Sequence, residues 1–554
     1  MANSNMKIVV EIPLDTLRGS VLDITPFATE QRYRFVNCVQ FAQRNTLVIC
    51  ESSEFPTFPY SAMSYVWRGN PVDPHPNPAV VSPEENWVFD VEGADGDPIS
   101  IGVLRHACVA SILHDAEYIW LDRLCIMQTS RPDKRWQISH MYQIYKSCRR
   151  CMILPGGVRR LVPLDEETAW IPRAWTLQEV LAPKDAAVLF AWTSGSGDVI
   201  SGDERSTVTE VIPHKSALSP VMNIVNACVM GEMDFTKAGT STERTVTVNV
   251  FGSASPNLAA LGVAMSEALA TDPDARSHAI WQSALMRTSS RPIDMVLSIM
   301  GLFGVSLDPG AFGKDERLRA TVALAREILR MGGNASWLGA SFRLPLCTQL
   351  STFSMFPETS VAGKAYVEID GLRREVAEMM DGEYPNSLGL KAPMPTGSMD
   401  DSGYLTFSCR AARAVPVSRD NPAQPNGLDE DSSGRVLVEA TDGTLLELRP
   451  ELESVEGVHG SYSSAFAVAL GWFLKYYPGA TPTGDGQFIK CMLIKEHSPG
   501  KFHAVSFFSL NRAQREWVMS WRQREFTVGG PEELTFSKNI IVPWSERICG
   551  CVLY

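Results

Sequence analysis

The stretch from Tyr60 to Trp192 alternates short apolar runs with segments of helical spacing, and this alternation constrains the fold more than any other feature of the chain. The apolar runs predict buried strands, and the segments between them place apolar residues three or four apart, as on one face of a helix. The order strand, helix, strand, helix, strand, helix, strand predicts a parallel sheet with helices on both faces. The predicted strands cover residues 60–69, 118–126, 151–154 and 187–192, and the predicted helices cover 100–115, 133–148 and a segment that starts at 173.

Polar and aromatic side chains follow the ends of the predicted strands. Trp67 comes after the first strand, and Asp122 is the single acid near the end of the second. A helix that opens at Arg173 places Trp175 and Glu179, four residues apart, on one face. Because ligands of such sheets bind beyond the carboxyl ends of the strands, we expect these residues to converge on one crevice.

The same residues also fit a purely structural interpretation. A Trp and a Glu at this spacing often form a packing pair with a solvated acid, and Asp122 fits a cap at a strand end. Tyr65 and Trp67 fit core aromatics. The sequence alone leaves both interpretations of these residues open.

Charge and hydropathy limit the classes of partner. The formal net charge of -13 and the pI near 5.3 argue against a mainly electrostatic grip on nucleic acid. The longest apolar stretches, such as residues 466–474, are much shorter than a membrane span, and the amino terminus lacks an apolar segment behind a basic start. We therefore expect a cytoplasmic protein that binds neither nucleic acid nor a membrane.

The twelve cysteines do not form the pattern of a disulfide framework. Cys148 and Cys151 have the spacing of a zinc or redox motif, but no second pair with suitable histidines follows them. Cys549 and Cys551 are too closely spaced to complete such a site. We predict structural or free thiols and no metal.

Three blocks of the chain resemble, in the right order, the conserved blocks of the fungal heterokaryon-incompatibility (HET) domain. They are residues 60–67, residues 119–128 with the apolar helix residues that come next, and residues 173–179. Residues 286–304 are similar to the helix with an Arg and then an Asp that comes after these blocks in fungal members. The chain departs from the family where Arg68 precedes Gly69, and where Met127 replaces a second Asp.

HET domains are thought to be related to Toll/interleukin-1 receptor (TIR) domains. Trp175 and Glu179 are similar to the TIR helix motif in which the catalytic Glu of NAD-cleaving members follows a Trp by four residues. Asp122 resembles the TIR acid that precedes a loop after the second strand. The resemblance implies a flavodoxin-like sheet, cleavage of the nicotinamide-ribose bond of NAD, and a role in non-self recognition or cell death.

The residues can be tested against this implied chemistry. Nicotinamide leaves as a neutral molecule, so the reaction needs one well-placed carboxylate rather than the two of ordinary glycoside hydrolysis. Glu179 is the catalytic candidate, and an Arg beside the crevice suits a pyrophosphate. No Gly-rich phosphate fingerprint follows the first strand, which argues against a Rossmann hydride-transfer enzyme. The residues expected to bind NAD are Asp122, Arg123, Trp67, Tyr65, Arg173 and Trp175.

Two alternatives to NAD cleavage remain. The first is a HET-like signalling or scaffold module without catalysis, which acts through protein–protein interaction and in which Glu179 serves packing. The second is acyl transfer by Cys125 with His140 as its base, for which the sequence supplies neither oxyanion donors nor an orienting third group.

We predict four regions along the chain. They are an amino-terminal extension (1–55), the HET/TIR-like α/β domain (56–200), a helical extension packed on it (201–345), and a mainly β domain (346–554). Residues 194–219 have the composition of a linker or exposed excursion, residues 464–476 favour a helix, and residues 515–521 favour a strand. Arg287, Arg291 and Asp294 fit either the rim of the crevice or a structural salt bridge. We expect a homo-oligomer, with a possible protein partner bound through the carboxyl-terminal region.

Overall fold

The computed structural model describes residues 6–72, 87–253, 255–266, 272–359, 363–385, 394–417, 436–449, 464–475 and 487–531. Cys549 and Cys551 lie outside the described residues. The strands of the amino-terminal half are β1 (Lys7–Pro13), β2 (Val21–Leu22), β3 (Tyr33–Asn37), β4 (Thr46–Ser52), β5 (Tyr60–Tyr65), β6 (Val88–Val91), β7 (Ile99–Ser100), β8 (Tyr118–Trp120), β9 (Arg150–Leu154), β10 (Ala186–Ala191), β11 (Gly197–Ser201), β12 (Glu204–Ile212), β13 (Ser216–Pro220), β14 (Glu232–Lys237) and β15 (Glu243–Thr247).

The helices of the same part of the chain include the three that the sequence predicts between the parallel strands. They are α1 (Leu14–Leu17), α2 (Cys38–Arg44), α3 (Ile101–Leu113), α4 (Asp122–Cys125), α5 (Arg131–Ser147), α6 (Ala174–Leu181), α7 (Val221–Met230), α8 (Pro256–Met265), α9 (Pro273–Leu285), α10 (Asp294–Met300) and α11 (Arg317–Arg330). Side-chain caps explain several of their starts. The Ser100 and Ser130 hydroxyls accept backbone N–H bonds at the first turns of α3 and α5.

The centre of the main sheet is parallel. Strands β8, β5, β9 and β10 lie side by side in that order, and each adjacent pair runs in the same direction. Helices α3, α5 and α6 precede β8, β9 and β10 respectively, so the predicted alternation of strand and helix is confirmed. The closer assignment to a flavodoxin- or TIR-like sheet stays a prediction.

The order of these four strands contains one topological switch point. In chain order they are strands two, one, three and four across the sheet, so the connection after β8 crosses from one side of β5 to the other. Open α/β sheets bind ligands at such a switch point, beyond the carboxyl ends of the strands. Here the switch point lies between β5 and β9.

The sheet is mixed rather than parallel throughout, which corrects the sequence prediction. It has twelve strands in the order β1-β4-β3-β8-β5-β9-β10-β13-β12-β11-β14-β15, and both flanks are antiparallel. Antiparallel neighbours need only a short hairpin, such as the turn between β11 and β12 that contains Gly202 with a φ of 59°. The same finding corrects the interpretation of residues 194–219 as a linker, because most of them form β11, β12 and β13.

The amino-terminal segment is part of this sheet. Strands β1, β4 and β3 pair in succession, and β3 then pairs with β8 of the parallel centre. A buried ion pair ties the segment to α5, because Arg34 Nη1 lies 3.0 Å from the Asp133 carboxylate and both side chains are buried. Residues 1–55, predicted as an extension beside the α/β domain, are thus hydrogen-bonded into its sheet.

Helices α8 to α11 form a helical layer beside the sheet, whereas the first part of the predicted helical extension (201–345) contains β12 to β15 of the sheet itself. Helix α10 packs against α6, and Arg173 just before α6 pairs with Thr288 in an isolated parallel bridge. The predicted buried helix over residues 292–303 is α10 followed by one turn of 3-10 helix at Gly301–Phe303. The helical layer therefore contacts the element that carries Glu179.

The carboxyl-terminal region is mainly antiparallel β structure, as predicted. A nine-stranded sheet contains most of its strands, and one large hydrophobic core extends from Val9 to Val528. Its elements are β16 (Tyr366–Ile369), β17 (Leu372–Glu375), β18 (Glu383–Pro385), β19 (Gly397–Met399), β20 (Leu405–Pro416), β21 (Val436–Glu439), β22 (Leu445–Arg449), β23 (Ala465–Lys475), β24 (Gln487–Ser498), β25 (Lys501–Asn511), β26 (Arg522–Val528) and the helix α12 (Arg515–Ser520).

Two sequence predictions in this region are wrong. The sequence favours a helix over residues 464–476, but strand β23 forms there, because an apolar run buried on both faces pairs along its length with β24. The sequence favours a strand over residues 515–521, but this segment contains α12, which follows a capping box formed by Asn511 and Gln514.

His278 marks the contact between the helical layer and the carboxyl-terminal sheet. Its ring on α9 lies between Tyr384, at 6.2 Å between ring centroids, and Phe473, at 5.4 Å. Its Nδ1 forms a 2.8 Å hydrogen bond with the Ser336 carbonyl oxygen. Burial lowers the pKa of His278 to about 4, so this histidine is neutral at physiological pH.

Among the helices that the structure describes, none combines the length and the apolar character needed to cross a bilayer. The ten cysteines within the described ranges are all buried, which agrees with the prediction of structural or free thiols for them.

Candidate functional site

The residues singled out by the sequence lie around the carboxyl ends of the parallel strands. Ser64 and Tyr65 are the last residues of β5, and Asp122 opens the short helix α4 directly after β8. Helix α6, which carries Glu179, comes after β9 and a connecting loop. Each element therefore delivers its polar side chain to the same end of the sheet, at the switch point between β5 and β9.

Asp122 is partly buried and accepts hydrogen bonds from three neighbouring groups. The Tyr65 hydroxyl and the Arg123 backbone N–H donate to Oδ1, and the Trp67 indole N–H donates to Oδ2 across 2.8 Å. Burial raises the pKa of Asp122, although these hydrogen bonds and the Arg123 charge act in the opposite direction. The predicted group Tyr65, Trp67 and Asp122 is therefore brought into direct contact.

Glu179 is almost sealed from solvent, with 9% of its surface exposed. The Ser64 hydroxyl donates to its Oε2 across 2.6 Å, and the Trp170 indole N–H donates to Ser64 Oγ across 2.9 Å. Burial, with a smaller effect of the nearby Asp122 carboxyl, raises the pKa of Glu179 to about 8. Ser64 and the Arg173 charge act in the opposite direction. Glu179 therefore holds its proton at neutral pH in the absence of a cationic partner.

Trp175, which lies on α6 with Glu179, contacts a different carboxyl group. Its indole is half-buried and forms a hydrogen bond with Asp294 at the start of α10. Ser289 Oγ also donates to Asp294, across 3.2 Å. Burial raises the pKa of Asp294, and Arg173 and Arg291 lower it. Trp175 and Asp294 thus join α6 to α10 through a hydrogen bond.

Arg287, from the end of α9, reaches the first turn of α6. Its Nη1 donates to the Arg173 carbonyl oxygen across 2.9 Å and to Thr176 Oγ1 across 2.7 Å, and its Nε donates to Ser283 Oγ. Burial lowers the pKa of Arg287 to about 9, whereas the Glu179 charge raises it. The helical layer therefore contributes a buried cation to the surroundings of Glu179.

Close backbone contacts hold the loops beyond β5 and β9 together. The Asn70 backbone N–H donates to the Gly156 carbonyl oxygen across 3.1 Å. A Cβ atom at Gly69 would lie 2.0 Å from that same oxygen, and Gly157 has a φ of 89°. Only glycine fits such an approach of two backbones. The two loops therefore pack backbone to backbone beyond the carboxyl ends of β5 and β9.

The thiol alternative finds no support in the geometry. Burial raises the pKa of Cys125 to about 12, which disfavours the nucleophilic thiolate. The His140 ring stacks on Trp136 at 4.0 Å between centroids, and its Nδ1 contacts the carbonyl oxygen of the same residue. Within the described ranges, no group of three or more His, Cys, Asp or Glu side chains is placed to hold a metal ion.

Three residues of this cluster were not singled out from the sequence as parts of the site: Ser64, Trp170 and Tyr145. Ser64 is a hydroxyl in a strand buried on both faces, and such a group needs a hydrogen-bond partner, which was the available signal. Trp170 gave no signal because its loop lacks periodicity. The Tyr145 hydroxyl donates to the Met63 carbonyl oxygen across 2.7 Å, a contact between distant segments.

Comparison with known proteins identifies one segment. No curated protein and no solved structure matches the chain. One segment of the chain, however, matches a family of proteins. It runs from the start of β5 past the end of β9, and so includes Tyr65, Trp67, Asp122 and Arg123 but stops before α6 and Glu179. Residues 60–160 match the family model described as heterokaryon incompatibility protein (HET), and the chain therefore carries a HET domain in this segment.

Proposed function

We propose that this chain is a HET-domain effector in heterokaryon incompatibility or cell death, and that it cleaves the nicotinamide-ribose bond of NAD at Glu179. The HET domain points to the cellular role. One observation carries the proposal of catalysis: two carboxyl groups with raised pKa values, the partly buried Asp122 and the buried Glu179, interact electrostatically near the switch point of the sheet. Perturbed carboxyl groups at such a position are typical of functional sites.

The raised pKa of Glu179 suits a cationic substrate. A nicotinamide ring bound near Glu179 carries a positive charge, which favours the ionised carboxylate and lowers its pKa. Binding therefore releases a proton, and the resulting carboxylate faces the positive charge that develops on the ribose as neutral nicotinamide departs. Water then adds to the ribose carbon and loses a proton, which gives ADP-ribose. Asp122 holds a ribose hydroxyl or orients an arginine, and the ring of Trp67 offers a stacking surface.

A second candidate function is supported by the burial of the same residues. Glu179 is 9% exposed and already accepts a hydrogen bond from Ser64, and both oxygens of Asp122 are occupied. These contacts equally suit a polar cluster that rigidifies a non-catalytic HET signalling module. In that module the chain acts through protein–protein interaction.

Assembly and partners belong to the proposal as well. We expect the active form to be a cytoplasmic homo-oligomer, as for the TIR enzymes that the chain resembles. The carboxyl-terminal sheet is the expected surface for a protein partner. Light scattering at several protein concentrations, with and without NAD, tests the oligomeric state.

The deciding experiment measures free nicotinamide after incubation of the purified full chain with NAD. The wild-type protein is compared with Glu179→Gln, which keeps the shape of the side chain and removes its charge. Asp165→Asn is the matched control, because Asp165 is an exposed acid in the loop before α6. We expect release by the wild type and the control, and a loss of about 100-fold or more in Glu179→Gln.

Absence of nicotinamide release at high protein concentration, with crowding agents that favour assembly, supports the non-catalytic module instead. Equal release by the wild type and Glu179→Gln removes Glu179 from the reaction. Circular dichroism of all three proteins shows whether the fold is kept.

A further inference from the structure

The guanidinium group of Arg123 is buried, and no acidic side chain among the described residues forms a hydrogen bond with it. The side chain comes directly after Asp122 in α4 and has 0% exposed surface. Its Nη1 donates to the Asp97 carbonyl oxygen. Neither Nε nor Nη2 has a hydrogen-bond partner among the residues that the structure describes.

A buried guanidinium with two unpaired nitrogens is energetically unfavourable unless another group binds to them. A guanidinium stays charged in proteins, so burial cannot be relieved by loss of a proton. Buried donors are normally paired with protein groups, water or an ion, and a buried charge is normally paired with an opposite charge. The nearest acid, Asp122, accepts hydrogen bonds from Tyr65, Trp67 and the Arg123 backbone, and forms none with the two free nitrogens of Arg123.

The two free nitrogens of Arg123 lie on one edge of the guanidinium plane. Nε–H and one Nη2–H point in the same direction, and this edge binds two oxygens of a carboxylate or phosphate in parallel. The other arginines with fully buried side chains differ. Arg34 uses both terminal nitrogens on Asp133, and Arg287 makes three hydrogen bonds and leaves a single nitrogen free. Arg123 is thus distinguished by one complete open edge.

We propose that the open edge of Arg123 is an oxyanion site that binds a phosphate group of a nucleotide beside the Asp122 and Glu179 cluster. The site lies next to Trp67, whose ring centroid is 5.9 Å from the guanidinium carbon. The identification of the anion as part of a nucleotide rests on the proposed function. The need for an oxyanion rests on Arg123 alone.

Access to this edge involves the loop that contains Asp97. The Asp97 backbone N–H donates to the Trp67 carbonyl oxygen across 2.8 Å, and the Gly69 N–H donates to Asp97 Oδ2 across 2.7 Å. A Cβ atom at Gly96 would lie 2.9 Å from the Trp67 carbonyl oxygen. Because the side chain is fully buried, the proposal requires neighbouring backbone to move before an anion binds, and the Asp97 loop, which contacts Nη1, is the segment expected to move.

The test uses inorganic pyrophosphate with the purified full chain. Calorimetric titration and thermal melting are performed at constant ionic strength, with sodium chloride as the balancing salt, so that general screening is held fixed. Three variants are compared with the wild type. Arg123→Met removes the donors, Arg123→Lys keeps the charge without the open edge, and Arg68→Met removes a neighbouring exposed arginine that pairs with Asp95.

We expect saturable binding and a saturable rise in melting temperature for the wild type and for Arg68→Met. Arg123→Lys binds at least about tenfold more weakly, because a bidentate contact is lost. Arg123→Met shows no binding. Without pyrophosphate, Arg123→Met melts at or above the wild-type temperature, because an unpaired buried charge is removed, so loss of binding is not confused with unfolding.

The proposal is overturned if the wild type shows no saturable effect, or if Arg123→Met binds as the wild type does. Should Arg123→Met fail to fold, Arg123→Lys decides, and wild-type affinity in that variant overturns the proposal. Nicotinamide release separates this inference from the proposed function. Pyrophosphate binding through Arg123 without release of nicotinamide removes only the catalytic proposal, whereas release with unchanged pyrophosphate binding in Arg123→Met removes only this one.

Discussion

Ser64 and Glu179 lie 115 positions apart in the sequence and share a hydrogen bond of 2.6 Å that joins the end of β5 to helix α6. The same hydroxyl accepts from Trp170, so the indole, the hydroxyl and the carboxyl group form a continuous chain. This chain connects the segment matched by the HET family with the next element, α6. Changes along it should therefore alter both folding and ionisation.

Ser64→Ala removes the donor to Glu179 and leaves the Trp170 N–H without its acceptor. We expect a loss of about 1–3 kcal/mol in the free energy of unfolding, measured by urea denaturation. We also expect a higher pKa of Glu179, because the Ser64 hydrogen bond lowers it. Trp170→Phe, which removes only the first donor of the chain, provides the comparison. An unchanged pKa of Glu179 in Ser64→Ala contradicts this interpretation of the contact.

Glu179 makes the stability of the protein depend on pH. Its pKa is about 8 in the folded protein against an ordinary value of 4.5, so the folded state holds more protons between these values. The free energy of unfolding therefore falls as pH rises through this interval, by up to about 1.4 kcal/mol per pH unit. Glu179→Gln should remove this slope between pH 6.5 and 8, and Asp165→Asn should keep it. Denaturation curves across that range provide the measurement.

His278 makes the free energy of unfolding depend on pH in the opposite direction. Its pKa is about 4 in the folded protein against an ordinary value of 6.5, so the unfolded state takes up the proton first as pH falls. The free energy of unfolding therefore decreases on acidification from pH 6.5 to 4, by up to about 1.4 kcal/mol per pH unit. His278→Gln should flatten this acid limb, and His214→Asn, at an exposed histidine, should not. An unchanged acid limb in His278→Gln shows that His278 does not control it.

Gly69→Ala tests the contact between the loops beyond β5 and β9. The added Cβ atom would lie 2.0 Å from the Gly156 carbonyl oxygen, so one backbone must shift. We expect a loss of about 1–3 kcal/mol in the free energy of unfolding and faster amide exchange at Asn70. Gly313→Ala is the control, because its nearest atom is the end of a flexible Glu316 side chain at 3.4 Å. Equal effects of the two changes contradict a tight contact at Gly69.

The parallel centre of the sheet could be predicted because its signals are local. Strands β5, β8, β9 and β10 are short apolar runs, and the helices between them show a clear helical period. The antiparallel flanks and β23 were missed because pairing with distant strands decides them. Residues 465–475 are apolar on both faces, which fits a buried helix as well as a central strand, and only the partner β24 distinguishes the two.

The candidate site could be predicted in its residue types and only partly in its geometry. The gathering of Tyr65, Trp67 and Asp122 follows from their places at strand ends. The hydrogen bond of Trp175 with Asp294 could not be predicted, because Asp294 lies in a later helix. The open edge of Arg123 could not be predicted from the sequence either, because it depends on the absence of hydrogen-bond partners for Nε and Nη2 among the described residues.

The twelve-stranded sheet limits how the HET segment can be moved between proteins. Residues 60–160 supply β5, β8 and β9 of the parallel centre, while β3, on one side, and β10, on the other, come from outside. A fragment cut at the family boundaries would expose two bare strand edges and lack Glu179 altogether. A transplantable unit has to extend from β1 through Thr288, whose backbone pairs with the residue before α6.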